Sequence, residues 1–191
     1  MEYEDIKCDL RDNILTVTLN RPEFLNAWTR KMETELRDAM NRASSSSEVR
    51  VIILTGAGRG FCAGADMSLL NDVQESKSSP DSNRKNDSFS RIDNSLDLPA
   101  DFGKRYSYFP SVTKPIIAAI NGPCAGLGMI MAMYSDIRFS SESAKFTTAF
   151  SRRGLIAEHG ISWMLPKVIG FSAAVELLIS ARKFDSQESL R

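Results

Sequence analysis

Two short aliphatic segments, each followed by a glycine-rich turn, constrain the fold more than any other feature of this sequence. Val51–Leu54 leads into Gly56, and Ile116–Ile120 leads in the same way into Gly122. Continuous apolar runs of this length are typical of strands that are buried on both faces of a parallel sheet. Parallel strands need crossover connections, which helices usually supply, so the sequence predicts an α/β domain.

Hydrophobic periodicity predicts the remaining elements. It indicates three further strands, which are Ile14–Leu19, Asp136–Phe139 and Ala144–Thr147. It also indicates three helices, which are one that starts at Asn26, the buried segment Leu127–Tyr134, and Ser172–Ala181. Asn26 is predicted as an N-cap, because its short side chain can accept a hydrogen bond from the first helical turn. The predicted core includes Met129, Met131, Met133 and Trp163.

The last residues form a capping pattern, with Asp185 as N-cap and Glu188 three positions later. Barely two turns fit before Arg191, and a helix of that length is not stable unaided, so we expect the natural chain to continue. Residues 1–191 are expected to form a single core domain. Within it, the polar segment Asn71–Asp101 is expected to be a mobile lid or a loose surface loop.

Composition argues against several classes of partner. Lys plus Arg and Asp plus Glu number 24 each, so the formal net charge is zero and bulk charge favours neither nucleic acid nor an anionic membrane. No apolar run approaches the roughly 20 residues that span a bilayer. The three cysteines are far apart and there is one histidine, which argues against a disulfide scaffold or a metal site and favours a reducing, cytoplasmic location.

The two glycine-rich turns, Gly56–Asp66 and Gly122–Gly128, are the candidate ligand site. Ligands of α/β domains bind beyond the carboxyl ends of the strands, where glycine lets the backbone approach them. The first turn lacks the third glycine of a dinucleotide fingerprint, and neither turn continues into a P-loop. The second turn leads directly into a helix, whose first amides point at a ligand. Spacing alone leaves two interpretations, an oxyanion hole made by two backbone N–H groups or tight turns that only pack together.

Three sequence blocks, in this order and at this separation, carry a resemblance to a known family. They are Asn20–Ala27, Phe61–Asp66 and Lys114–Gly122. Together they resemble the crotonase superfamily, the enoyl-CoA hydratase/isomerase enzymes. The resemblance implies a β-β-α spiral core, an acyl-CoA thioester substrate with no cofactor beyond its coenzyme A, and assembly as a homotrimer or hexamer. It also implies a C-terminal helical region, which is expected to follow Arg191.

The resemblance assigns site residues position by position. The oxyanion amides fall on Ala65 and on Leu127, which stands at the middle of the family's usual glycine triplet. Contacts to coenzyme A fall on five residues, which are Leu25, Ala27, Ala63, Asp66 and Gly126. The sequence alone also leaves a helix-capping role open for Asp66.

The two glutamates of a typical hydratase in this family have no counterpart here. Ile130 stands at the first position and Phe150 at the second. Hydration needs a carboxylate to activate water, so two apolar residues exclude the usual two-glutamate mechanism.

One acidic residue remains at a position that the resemblance makes catalytic. Gly154–Gly160 is similar to the isomerase branches, which place a single acid four residues after the glycine, here Glu158. Such an acid can remove the proton beside a thioester carbonyl and return it further along the dienolate, which moves a double bond without water. Two alternatives stay open, a hydratase that uses Glu158 alone and a non-catalytic acyl-CoA-binding subunit. His159 next to it either orients the substrate or packs against the protein.

Overall fold

A five-stranded sheet forms the centre of the structure, a computed structural model that describes residues 2–67 and 105–191. Its strands are β1 (Ile6–Arg11), β2 (Ile14–Leu19), β3 (Val51–Gly56), β4 (Ile116–Ile120) and β6 (Ile137–Ser140), in the order β1-β2-β3-β4-β6. β1 and β2 are antiparallel, and the other neighbouring strands are parallel. Leu54 of β3 pairs with Val17 on one side and Ala118 on the other, so the aliphatic runs occupy the buried centre of the sheet.

A second, three-stranded sheet lies next to the second glycine-rich turn. It consists of β5 (Cys124–Ala125), β7 (Lys145–Thr147) and β8 (Phe184–Asp185), in that order. β5 and β7 are parallel, whereas β7 and β8 are antiparallel. Phe146 stacks on Phe184 with ring centroids 5.3 Å apart, which ties the last strand to the strand beside that turn.

The helices of the described residues are α1 (Arg30–Ser45), α2 (Leu127–Tyr134), α3 (Ile161–Ile169), α4 (Phe171–Ser180) and α5 (Ser186–Leu190). α1 packs on β1 and β2 through a fully buried apolar stripe that contains Met32, Leu36 and Met40. α2 is apolar on all sides and almost entirely buried, as the sequence predicts. Within residues 2–67 and 105–191, no helix combines the length and apolar character needed to cross a membrane.

The prediction that Asn26 is the N-cap of the first helix is wrong. α1 begins at Arg30, and the Thr29 hydroxyl caps it by accepting a hydrogen bond from the Met32 amide at 2.9 Å. Asn26 instead has a left-handed backbone, with φ of 55°, and is completely buried. Asparagine favours helix N-caps and left-handed turns for the same reason, its short side chain that bonds to nearby backbone, so the residue type alone does not separate the two.

Other predicted elements are confirmed with small shifts. β2, β4 and α2 have the predicted bounds, and Asp185 caps α5 by accepting a hydrogen bond from the Glu188 amide at 3.0 Å. The predicted segment Asn71–Asp101 lies outside the described residues. The prediction that Trp163 is a core residue is wrong, because it lies on the outer surface of α3 and is 50% exposed.

Candidate active site

The two glycine-rich turns pack directly against each other at Gly64 and Gly126. A Cβ atom built on Gly64 would lie 3.2 Å from the carbonyl oxygen of Ala125, and one built on Gly126 would lie 3.7 Å from Gly64 Cα. Both glycines have positive φ, 100° for Gly64 and 48° for Gly126, a conformation that glycine adopts without steric cost. Contact between these glycines brings the residues that follow them, Ala65 and Leu127, to one place.

The Ala65 N–H points away from the segment with which Ala65 pairs. Trp28 pairs with Ala65 in a parallel bridge, in which the Trp28 amide donates to Gly64 O at 2.8 Å and the Asp66 amide donates to Trp28 O at 2.9 Å. In such a bridge the middle residue directs its own N–H away from the partner strand. Within residues 2–67 and 105–191, this N–H has no hydrogen-bond acceptor.

The Leu127 amide is the first N–H of α2. The first N–H groups of a helix have no partner inside it, and they form the positive end of its dipole. The preceding amide, that of Gly126, donates to Thr147 O at 3.2 Å, whereas no acceptor for the Leu127 amide lies in the part of the chain that the structure describes. Two amides without an acceptor among the described residues, on two touching turns, are the elements of an oxyanion hole, which can stabilise negative charge that develops on a carbonyl oxygen.

The start of α2 is fixed on the first turn by Gly128. A Cβ atom there would lie 2.5 Å from Cys62 O, so only glycine lets the helix approach this closely. Cys62 and Cys124, which pair in a bridge between the two turns, are both buried. Burial raises the pKa of the Cys62 thiol to about 12 and raises that of Cys124 as well. Both thiols are therefore protonated and unreactive near neutral pH.

The residues predicted to contact coenzyme A form one cluster beside these turns. Leu25 O accepts a hydrogen bond from the Ala63 amide at 3.0 Å. Arg21 Nη1 donates to Ala27 O at 2.7 Å and to Asp66 Oδ2 at 2.8 Å. Gly126 joins the cluster from the second turn. Asp66 is thus an ion-pair partner of Arg21, and its coenzyme A contact stays a prediction.

Asn26, which sequence reasoning assigned to a helix cap, ties this cluster to the first turn. Its Nδ2 donates to Ala57 O at 2.9 Å and to Gly60 O at 2.7 Å, while its Oδ1 accepts from the Arg21 amide at 2.8 Å. These bonds hold the segment that carries Leu25 against the turn that carries Ala65.

Glu158 lies in the loop before α3, and its side chain is 35% exposed. The loop is held at the C-terminal end of α2, where the Tyr134 hydroxyl donates to His159 O at 3.1 Å. Gly160 fits against the same tyrosine, because a Cβ atom there would lie 2.0 Å from its hydroxyl oxygen. Helix α2 thus begins at Leu127, which carries the amide, and ends at Tyr134, which anchors the Glu158 loop.

A second series of contacts leads from Glu158 to Ala65, the residue of the first turn that carries the other amide. His159 Nε2 lies 3.3 Å from Glu158 Oε2, and the imidazole meets the Tyr106 ring edge-on at 4.4 Å between centroids. Tyr106 in turn meets Trp28 at 6.1 Å, and Trp28 is the bridge partner of Ala65. Sequence reasoning missed Tyr106, since an aromatic residue in a short aromatic run is as typical of a core as of a site.

The positions of the two hydratase glutamates are apolar and buried. Ile130 lies in α2 with no exposed surface, and Phe150 is 7% exposed. The described residues also contain no cluster of three or more His, Cys, Asp or Glu side chains that could hold a metal ion.

Comparison with known families identifies the fold. The model of the family described as enoyl-CoA hydratase/isomerase matches residues 9–191, a stretch that includes both turns and the Glu158 loop. This chain belongs to the enoyl-CoA hydratase/isomerase family. Every residue of the candidate site therefore lies inside the family match, and the resemblance to the crotonase superfamily is confirmed.

Individual relatives of this family member have both isomerase and hydratase names. The 1,2-epoxyphenylacetyl-CoA isomerase of Escherichia coli K12 is 36% identical over 97% of this chain and 66% of its own length. A protein of Rhodobacter capsulatus named probable enoyl-CoA hydratase is 31% identical over 100% of this chain and 67% of its own length. This chain therefore spans about two thirds of the length of these relatives.

Solved structures of the family have the same fold. The crystal structure of an enoyl-CoA hydratase from Mycobacterium marinum is similar with a TM-score of 0.72 at 36% identity, over 97% of this chain and 75% of that one. An enoyl-CoA hydratase from Mycobacterium avium subsp. paratuberculosis gives a TM-score of 0.76 at 26% identity, over 99% of this chain and 65% of that one. The predicted crotonase-type α/β fold is confirmed.

Proposed function

We propose that this family member shifts a double bond of an enoyl-CoA by proton transfer through a thioester enolate. The observation that carries the proposal is a pair of amides on two touching turns, Ala65 N–H and Leu127 N–H, that have no acceptor among the described residues. Side-chain contacts connect these turns to the partly buried carboxylate of Glu158. Coenzyme A would be held by the cluster around Leu25 and Asp66 beside those turns.

In the proposed mechanism the thioester carbonyl accepts hydrogen bonds from the two amides. Glu158 removes a proton from the carbon beside the carbonyl, and the negative charge that develops moves onto the carbonyl oxygen. Each amide is worth on the order of 3 kcal/mol to that transition state. Glu158 then returns the proton two carbons further along the dienolate, so the double bond moves and no water is consumed.

The residues at the two hydratase glutamate positions favour isomerisation over the usual hydration. Ile130 and Phe150 offer no group that could activate or protonate a second reactant. The hydratase name of the Rhodobacter capsulatus relative nevertheless supports a second candidate, hydration with Glu158 as the one carboxylate.

A Glu158→Gln variant tests the assignment of the base. It keeps the size of the side chain and removes the group that accepts the proton, so turnover of a 3-enoyl-CoA should fall roughly 10²- to 10⁴-fold while acyl-CoA binding persists. Glu142→Gln, the same change at an exposed glutamate, is the control and should leave turnover unchanged.

The reaction product separates the candidate functions. In D₂O, an isomerase gives the conjugated 2-enoyl-CoA with no added water, and deuterium enters the chain only where the Glu158 carboxyl exchanges its proton before returning it. Formation of 3-hydroxyacyl-CoA would establish the hydratase instead. Tight binding of acyl-CoA with neither product would establish the non-catalytic binding subunit.

A further inference from the structure

We propose that the edge of the five-stranded sheet at β1 is a contact surface for a second copy of this chain. In the proposed contact two β1 strands pair antiparallel around a two-fold axis, with Cys8 of one copy opposite Cys8 of the other. Because the contact is two-fold, it doubles the mass of any assembly that the chain forms through other surfaces. It involves neither the glycine-rich turns nor Glu158, so it does not depend on the proposed function.

The backbone of β1 presents a row of groups to the outside of the sheet. β1 stands at the end of the strand order, next to β2, and the Asn20 amide donates to Asp5 O at 2.7 Å just before the strand begins. In an antiparallel pair such hydrogen-bonded positions alternate with positions whose N–H and C=O groups point away from the neighbouring strand. The residues of β1 that point outward are therefore Ile6, Cys8 and Leu10.

The hydrogen bonds around the strand agree with this direction. The Ile6 amide donates to the Glu35 carboxylate of α1 at 3.2 Å and not to β2. Within residues 2–67 and 105–191, the carbonyl of Ile6 and both backbone groups of Cys8 and Leu10 have no hydrogen-bond partner. A row of free N–H and C=O groups on an edge strand is a template for pairing with another strand.

The edge is also continuous and open. β1 has 6 residues in unbroken register with β2, it contains no proline or bulge, and every residue after the first is exposed, including the apolar Leu10 at 41%. Proteins that keep an edge strand single usually use prolines, bulges or a very short strand. On the α1 side, a surface cavity lined in part by Cys8, Leu15, Ala39 and Val49 lies beside the strand, so the helix leaves room for the side chains of a second strand.

Main-chain geometry and charge together select the register. With Cys8 opposite Cys8, the Cys8 amide of each copy donates to Cys8 O of the other, and each Leu10 amide donates to Ile6 O. Lys7 then lies directly opposite Asp9 of the second copy, at two symmetry-related positions. Sliding to the next hydrogen-bonded register in either direction would place Lys7 opposite Lys7 or Asp9 opposite Asp9. Opposite charges across paired strands stabilise them and like charges destabilise them, so the charges favour the proposed register.

Both charged residues are available for such contacts. Lys7 is exposed and has no ion-pair partner in the part of the chain that the structure describes, and Asp9 pairs at 2.9 Å with Arg11, which is itself exposed. Charge reversal therefore tests the contact. Lys7→Glu alone, or Asp9→Lys alone, places like charges opposite each other at both positions. Each variant should have half the mass of the wild type by sedimentation velocity, with a dissociation constant raised at least about tenfold.

Mixing the two variants tests the register. In an equimolar mixture of Lys7→Glu and Asp9→Lys, opposite charges face each other again at both positions, so the wild-type mass should return. Lys183→Glu, a reversal at an exposed lysine next to β8, is the control and should leave the mass unchanged.

Amide hydrogen exchange reports on the backbone pairing. The Cys8 and Leu10 amides should exchange slowly in the wild type and rapidly in Lys7→Glu, whereas the Asp9 amide, which is directed at β2, should exchange slowly in both. Circular dichroism establishes that each variant is folded. A wild type with the mass of Lys7→Glu at concentrations up to about 0.5 mM, or a mixture that does not recover the wild-type mass, would overturn the proposal.

Discussion

In the proposed oxyanion hole, Leu127 takes part in the chemistry through its main-chain N–H, and its side chain has a separate, structural role. The side chain is 6% exposed and packs in the core, while the amide stands at the start of α2 without an acceptor in the described part of the chain. A side chain at this position is compatible with the proposed oxyanion hole because only the backbone donates. Its role can therefore be tested only by a substitution that removes the N–H itself.

Leu127→Pro is that substitution. Proline is tolerated at the first position of a helix, so α2 should still form, but the donor to the thioester oxygen is lost. We expect kcat to fall about 10²- to 10³-fold, measured with the same 3-enoyl-CoA. Leu127→Ala is the control, since it loses the same buried side chain and keeps the amide. Equal activity of the two variants, both folded by circular dichroism, would contradict an oxyanion role.

Sequence reasoning identified Glu158 and the neighbouring His159, but not the charge environment of the imidazole. The resemblance of Gly154–Gly160 to the isomerase branches identified the acid, because family motifs are local in sequence. The neutrality of His159 depends on burial and on Arg105, which is brought near only by the folded chain. The residues next to His159 in the sequence therefore do not indicate its charge environment, because that environment is formed by elements that are distant in the sequence.

At the scale of elements, runs that are apolar throughout or alternate regularly were predictable, and segments without either pattern were not. β4 and α2 are buried on nearly all sides, so their sequences are apolar throughout and their bounds follow directly. β1 was missed because only its first residue is buried and the others are exposed. The Asp12–Asn13 turn, with φ of 50° and 64°, was an available hairpin signal. α3 was missed as well, and it contains Pro166, a residue that normally argues against a helix interior.

The link between the first turn and the loop before α1 rests on Asn26. In Asn26→Ala the three hydrogen bonds of the side chain are lost and alanine must adopt a left-handed backbone. We expect the free energy of unfolding to fall by about 3 kcal/mol, measured by urea denaturation. Activity should fall too, because the same bonds hold the turn that carries Ala65.

Asn13→Ala provides the comparison for that change. Asn13 is also a left-handed asparagine, with φ of 64°, but it is exposed and its side chain donates one hydrogen bond, to Glu48 O at 2.8 Å. We expect a loss of about 1 kcal/mol or less there. If both variants lost the same stability, the cost would come from backbone conformation and not from the buried bonds of Asn26.

For the molecule as a whole, binding of an anionic ligand has to come from local groups. Positive and negative side chains are equal in number, so no net field attracts a polyanion such as coenzyme A. The proposed site offers backbone amides, the start of α2 and the Arg21 cluster instead. Ligand affinity should therefore depend on the thioester and its contacts, which can be measured without any turnover.

Acyl-CoA should stabilise the folded chain even when catalysis is abolished. A ligand at 100 times its Kd adds about 2.7 kcal/mol to the free energy of unfolding, which for a domain of this size raises Tm by roughly 5–10 °C. Glu158→Gln should show the same shift, because the base contributes to proton transfer and not to binding of the ground state. Leu127→Pro should show a smaller shift, because it lacks one hydrogen bond to the thioester oxygen. The free fatty acid, which has no coenzyme A, is the control. An equal shift with the free acid, or none with acyl-CoA, would exclude the thioester as the ligand of this site.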